Sequence, residues 1–294
     1  MVETTLAERI FATLALIERR GWCVEVEHLA QLMIGGVVGV EELRTAIQQT
    51  PGLHLSDGRV YTDSLDSQTR CHSLKRQLCN RTHTDRYWAA VEEYVERLVR
   101  RCTQVRCVAL AGSMASGGFI ESDDIDFNLF VEDGTRYQTY LQANLLALDF
   151  SARYGHRPTD SHTQRWVFPK LMSVNVIWTD DDTRPFVRQD GAMALELFLS
   201  QPLWGREYFH NMLGCNSWLD DYFPQVRSQG LMCSDKQPVQ QSRWSSLGEQ
   251  FCRHATYLGW QWVMWTRRHN PEALARVAQV RKYQSPYALF EDRG

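Results

Sequence analysis

Two short apolar runs limit what this chain can fold into. "VRCVALAG", starting at Val105, and "DIDFNLFV", starting at Asp124, are rich in β-branched, aromatic and small residues. Each is too short for a buried helix and the right length for a buried strand. Between them lies "SMASGGFIESD", small and polar, so the sequence predicts a strand, a tight turn leading into a short helix, and a second strand. In the second run, strand alternation sets Asp124 and Asp126 on one face and Ile125, Phe127 and Leu129 on the other. Helical periodicity dominates elsewhere, which makes the expected class α+β.

The chain has 294 residues, 44% of them hydrophobic and 23% charged, enough for about two domains at roughly 100–200 residues each. Its formal charge of -3 argues against a protein that holds nucleic acid by bulk electrostatics, although a local basic patch leaves that partner open. Eight cysteines are scattered without a C-x-x-C pair, and "MVETTLAERIF" lacks a basic segment followed by an apolar core. The expectation is reduced thiols and a cytoplasmic location. Cys102 and Cys107 make a poor zinc knuckle, since Cys107 sits inside a strand-like run. No apolar stretch approaches the eighteen or so residues that span a bilayer, so no membrane partner is expected.

Residues 1–64 read as three helices and a hairpin. Leu6, Ile10, Leu14 and Ile17 recur at helical spacing, "VEVEHLAQLM" and "VGVEELRTAIQQT" add two amphipathic runs, and "LHLSDGRVYT" alternates around a Ser-Asp-Gly turn. That order resembles a winged helix. The segment holds five Arg against nine Asp and Glu, a net of -4, which repels phosphates and favours a module that docks a protein partner. Residues 65–104 read as a polar connector, with Arg70, Lys75, Arg76 and Arg81, followed by an amphipathic helix from Thr84. The connector is either a solvated linker or a contact strip for phosphate or RNA. Residues 105–185 form the central unit and 186–294 a helical one.

The central unit carries the chemistry. Gly112 and Ser113 end a strand in a turn where a backbone can wrap a ligand, and the helix starting in "SMAS" turns its first N–H groups toward that turn. Two carboxylates pointing together raise each other's pKa unless a cation sits between them. Magnesium fits, because it takes few protein carboxylates and completes its shell with water and phosphate oxygens. A solvent-facing acidic strand edge shows the same pattern.

Gly112-Ser113-x-Ala115-x-Gly117 followed by Asp124-Ile125-Asp126-Phe127 resembles the polymerase-beta-like nucleotidyltransferase superfamily, in which a Gly-Ser turn, a helix and an Asp-x-Asp strand follow one another. The resemblance covers about residues 105–178. It implies that Gly112 and Ser113 hold nucleotide phosphates and that Asp124 and Asp126 bind catalytic Mg2+ or Mn2+. Ser116 and Lys282 complete the expected nucleotide-binding set. A third carboxylate on a later strand is common in the superfamily; Asn175 in "SVNVIW" stands at the equivalent position and cannot act as a general base. Asp180, Asp181 and Asp182, just beyond, read as a solvated turn. "ALELFLSQPLWGREYFHNMLGCNSWLDDYFP" resembles the helical segment of a subgroup with a winged-helix start and an Asn strand. Its Leu195, Phe198, Leu199, Leu203 and Tyr208 read as core packing. Trp260, Trp262 and Trp265 also read as core, with base stacking as the other reading.

The implied architecture is a winged helix, a mixed-sheet nucleotidyltransferase domain and a C-terminal helical domain. The implied activity is Mg2+-dependent transfer of a nucleoside monophosphate from an NTP, ATP by default, to a small-molecule acceptor. A regulatory nucleotide-binding protein that has lost chemistry and an RNA-directed nucleotidyltransferase are the alternatives.

Overall fold

The computed structural model describes residues 5–158, 170–227, 243–271 and 274–275. Helix α1 (Leu6–Glu18) starts at a reciprocal cap: the Thr5 hydroxyl accepts the Glu8 N–H at 3.3 Å, and the Glu8 carboxylate accepts the Thr5 N–H at 2.8 Å. Its Ile10, Leu14 and Ile17 are fully buried, as the spacing predicts. β1 (Val24–Glu25), α2 (Val26–Gln31) and α3 (Val40–Gln49) follow, then the hairpin of β2 (Leu53–Ser56) and β3 (Arg59–Thr62). These strands form an antiparallel sheet in the order β1-β3-β2. The hairpin turns through Asp57 and Gly58, both at positive φ, the backbone that matches the twist of the flanking strands.

α4 (Ser67–Arg101) is one helix of 35 residues, where the sequence predicts a connector and a later helix start. No Gly or Pro interrupts it, and Asp66 caps its first turn by accepting the Thr69 N–H at 2.9 Å. Its two halves have different neighbours. The first packs on the N-terminal segment, where Ser73 Oγ accepts the Cys23 N–H at 3.1 Å and Gln77 donates to the Cys23 carbonyl at 2.6 Å. The second buries Tyr87, Val91, Tyr94 and Leu98 against the central sheet.

That sheet contains β4 (Val105–Leu110), β5 (Ile125–Val131), β6 (Met172–Thr179) and β7 (Gln201–Trp204), in the order β6-β5-β4-β7. β4 is antiparallel to both neighbours and β5 is parallel to β6, so the sheet is mixed. α5 (Gly112–Ala115) lies in the β4–β5 connection, and α6 (Arg136–Arg153) lies in the connection that a parallel β5–β6 pair requires. α7 (Asp180–Thr183), α8 (Gly191–Leu199), α9 (Arg206–Gly214), a 3-10 turn (Ser217–Asp221), α10 (Pro224–Arg227) and α11 (Arg243–Arg267) complete the described elements. The chain is α+β with a mixed sheet. The segment expected to be helical from residue 186 supplies edge strand β7, where Pro202 is tolerated because one side of the strand needs no partner.

Each face of the sheet has its own core. Val108, Leu110, Phe127 and Leu129 pack on α4 and α6, with the Tyr94 ring 4.9 Å from Phe127 and 5.5 Å from Phe150. Cys107, Ala109, Phe130 and Trp178 pack on the other side with α8 and α9, and that core runs on without a break into Leu14, Leu29 and Leu43 of the N-terminal segment. Gly191 fits between Leu16 and Tyr222, which ties α8 to α1.

Cys102 and Cys107 are buried, and Cys102 donates its thiol to Gln142 at 3.1 Å. Burial pushes the Cys102 thiol up to about 11. Cys215 is disulfide-bonded, a correction to the expectation that all eight cysteines are reduced thiols. Among the described residues no helix is long and apolar enough to cross a membrane.

Candidate functional site

Because β4 and β5 are antiparallel, the turn that ends the first meets the acidic start of the second. The Ala111 N–H donates to the Asp126 carbonyl at 2.8 Å, continuing the ladder by one residue. Gly112 then takes φ +62°, and the Asp126 carboxylate packs directly on it: a Cβ at residue 112 would lie 3.0 Å from Asp126 Cβ and 3.1 Å from its Cγ. Only glycine suits both the left-handed backbone and that contact.

Asp126 is half-buried in strand β5, and Asp124 stands just before the strand. The Asp126 carboxyl is held well above the usual carboxylate range. Burial is the largest cause; the charges of Asp124 and Glu196 add to it, while Lys170 and a hydrogen bond with Ser173 oppose it. Among the described residues no three His, Cys, Asp or Glu gather as a metal-binding group. The pair Asp124 and Asp126 fits a hard cation that draws its remaining oxygens from water and phosphate.

Ser173 stands beside Asp126 in register, and Asn175 lies further along β6 at an irregularity. Phe127 is in register with Val174 and Asn128 with Val176, so Asn175 is the extra residue of a bulge, a device that re-aims side chains. Its Nδ2 donates to Asn128 Oδ1 at 2.9 Å and to Glu196 Oε1 at 3.4 Å. Fully buried Asn128 donates to the same Glu196 oxygen at 3.1 Å and to Ser200 Oγ at 3.0 Å. Arg20, just past α1, completes the chain with an ion pair to Glu196 Oε2 at 2.9 Å. Glu196, whose charge acts on Asp126, comes from α8, inside a run that the sequence presents as core packing.

The loop from Ser116 to Asp124 is fastened to α4. Asn80 Oδ1 accepts the Phe119 N–H at 2.9 Å, and Glu121 accepts from Arg86 at 2.8 Å and from the Tyr87 hydroxyl at 2.9 Å. Burial, reinforced by Glu121, pushes Tyr87 up to about 12. Arg76 forms a two-pronged ion pair with Asp123, Nη1 to Oδ1 at 3.3 Å and Nη2 to Oδ2. The Ser113 hydroxyl donates to that same Oδ2 at 2.8 Å, while Ser116 donates back to the Gly112 carbonyl at 3.0 Å and secures its own turn.

Gly112, Ser113, Ser116, Asp124 and Asp126 thus lie at one end of the sheet, and Asn175 is placed further along β6 against Asn128 and Glu196. Lys282, and Arg281 with it, lie outside the described residues, as does the Arg243 side chain. Asp180, Asp181 and Asp182 sit at the other end of β6, since Ser173 is beside Asp126 and Thr179 beside Val131. There Asp180 accepts from Tyr208 at 2.6 Å, Asp182 caps Thr179 at 2.7 Å, and the Asp181 N–H donates to Asp133 at 2.8 Å. Trp262 and Trp265 are 58% and 54% exposed, stacked on each other at 5.2 Å, where the sequence predicts core. Arg268 lies over Trp265 at 4.0 Å.

Comparison of the chain with protein-family models, curated proteins and solved structures finds no match.

Proposed function

We propose that this chain is a Mg2+-dependent nucleotidyltransferase that moves a nucleoside monophosphate from an NTP, ATP by default, to a small-molecule acceptor. The observation that carries the reading is the Asp126 carboxylate, set on the Gly112 backbone beside a like charge and pushed up by burial. Such a group is poised to exchange a proton for a metal ion. The order helix, strand, Gly-Ser turn, Asp-x-Asp strand, helix, strand supports the resemblance to the polymerase-beta-like superfamily.

Asp124 and Asp126 would hold Mg2+ or Mn2+, which would supply charge neutralisation at the phosphates. Gly112 lets the backbone approach them, and the Ser113 hydroxyl is one residue away. The acceptor forms a bond to the α-phosphorus as the bond to the bridging oxygen breaks, and pyrophosphate leaves with the electron pair. Asn175 takes no proton. Its Nδ2 is committed to Asn128 and Glu196, which leaves the amide oxygen as the group that would accept a hydrogen bond from the acceptor. The acceptor's proton goes to water or to a phosphate oxygen. The helix order and hairpin of residues 1–64 support a winged helix, and its net charge of -4 supports a protein partner there.

The test is the double variant Asp124→Ala with Asp126→Ala, assayed for Mg2+-dependent NTP consumption. Turnover is expected to vanish with the fold retained by circular dichroism; unchanged turnover rejects the reading. The engagement of both Glu196 oxygens favours one second reading, a nucleotide-binding regulator without chemistry. That protein would be stabilised by an NTP with Mg2+ yet release no pyrophosphate in any acceptor screen.

A further inference from the structure

The clamp at Asp123 resembles a filled anion site. Its Oδ2 takes the Ser113 hydroxyl at 2.8 Å, the Arg76 guanidinium, and the Ile120 N–H at 3.4 Å. Three donors from three places in the chain converge on one oxygen, the arrangement by which proteins hold a phosphoryl oxygen. The planar fork of Arg76 suits carboxylate and phosphate alike. The seat adjoins the proposed reaction centre by sequence on both sides, since Ser113 follows Gly112 and Asp123 precedes Asp124.

We propose that Arg76, the Ser113 hydroxyl and the Ile120 N–H form a polyphosphate seat, which the Asp123 carboxylate fills until an incoming phosphate displaces it. Polyphosphate as the ligand class rests on the nucleotidyltransferase reading; the convergence of donors does not. The exchange is local. The Asp123 backbone is pinned by Arg157, which donates to its carbonyl at 2.5 Å, and by its own N–H to the Ile120 carbonyl at 2.9 Å. Only the side chain needs to rotate, and the Arg76 and Asp123 side chains are already 23% and 18% exposed. Once released, the carboxylate turns to water while the donors stay in place on α4 and the turn.

The sign of one substitution decides between displacement and mere support. Inorganic tripolyphosphate is titrated calorimetrically, without divalent metal and at fixed ionic strength, into the full-length chain and its variants. Asp123→Asn removes the resident charge and is expected to tighten binding roughly tenfold, whereas Arg76→Gln is expected to weaken it roughly tenfold, the scale of one charge-assisted hydrogen bond. Ser113→Ala removes a donor without unpairing a charge, and it gives the weakening reading should Arg76→Gln fail to fold. Asp149→Asn, on exposed α6, removes the same charge elsewhere and is expected to change affinity less than about twofold. Weaker binding by Asp123→Asn overturns the proposal, because Asp123 would then be organising the donors. Equal gains in Asp123→Asn and Asp149→Asn, or no binding by any chain, overturn it as well. Because NTP turnover is not read, a failed seat leaves the transferase reading standing, and a chain without transferase activity can still pass.

Discussion

The Asp126 carboxylate occupies the space where a side chain on Gly112 would begin. Gly112→Ala therefore meets two penalties at once, a left-handed backbone costing about 1–2 kcal/mol for a non-glycine residue and a collision with the carboxylate. The expected result is a lower urea midpoint at unchanged slope, together with loss of Mg2+-dependent thermal stabilisation by NTP.

Asp126 also sets a pH dependence. A carboxyl raised in the folded state contributes stability that is fully present below its unfolded value of 3.8 and is lost as pH rises through the folded value. Asp126→Asn removes that loss. In metal-free buffer the variant should melt above the parent chain at pH 7, with the difference shrinking toward pH 4. Scanning calorimetry across that range checks it, and a variant less stable at pH 7 would contradict the assigned direction.

Glu196 holds the polar cluster behind Asp126. Glu196→Ala strips acceptors from Asn128, which has no exposed surface, and an unsatisfied buried group costs about 1–3 kcal/mol. Glu196→Gln keeps an acceptor and should cost less than the alanine variant. Arg20→Ala should also be milder, because that side chain is 25% exposed and water can replace it. Chemical denaturation of the three variants gives the ranking.

Asn80 fixes the loop before the Asp-x-Asp strand. Asn80→Ala leaves the Phe119 N–H without its 2.9 Å acceptor, a change worth about 1 kcal/mol. Hydrogen exchange at Phe119 should accelerate, while exchange in the core of β5 should stay as in the parent chain.

How much of this was legible in the sequence depends on separation along the chain. The Gly112 turn and the strand-turn-strand order follow from residues close together, where periodicity and turn chemistry act. Glu196 did not follow, because its partners Asn128 and Asn175 lie 68 and 21 residues away and one acid in an apolar helix reads as the solvated side. Arg76 was legible only as part of a polar strip, either solvated or a contact for phosphate or RNA, and its ion pair with Asp123 appears once the loop that meets it is placed. β7 was lost to its length, four residues with a proline between two helices. The continuity of α4 was readable from the absence of Gly and Pro, but the polar run before Thr84 imitates a connector that ends at a helix start.

α4 acts as a keyed shaft about 52 Å long. Ser73 and Gln77 engage the N-terminal segment, Arg76 and Asn80 engage the turn loop, and Tyr87, Tyr94 and Leu98 engage the sheet. Those engagements share one angular phase. Inserting a single residue after Asn80 would rotate everything downstream by about 100°, so the grip on the loop and the sheet could not both survive. A seven-residue insertion returns to within about 20° of the original phase but displaces the loop grip along the axis by nearly two turns. Length as well as orientation is therefore fixed over this stretch, and lineages of this protein should tolerate substitutions there far more readily than insertions or deletions.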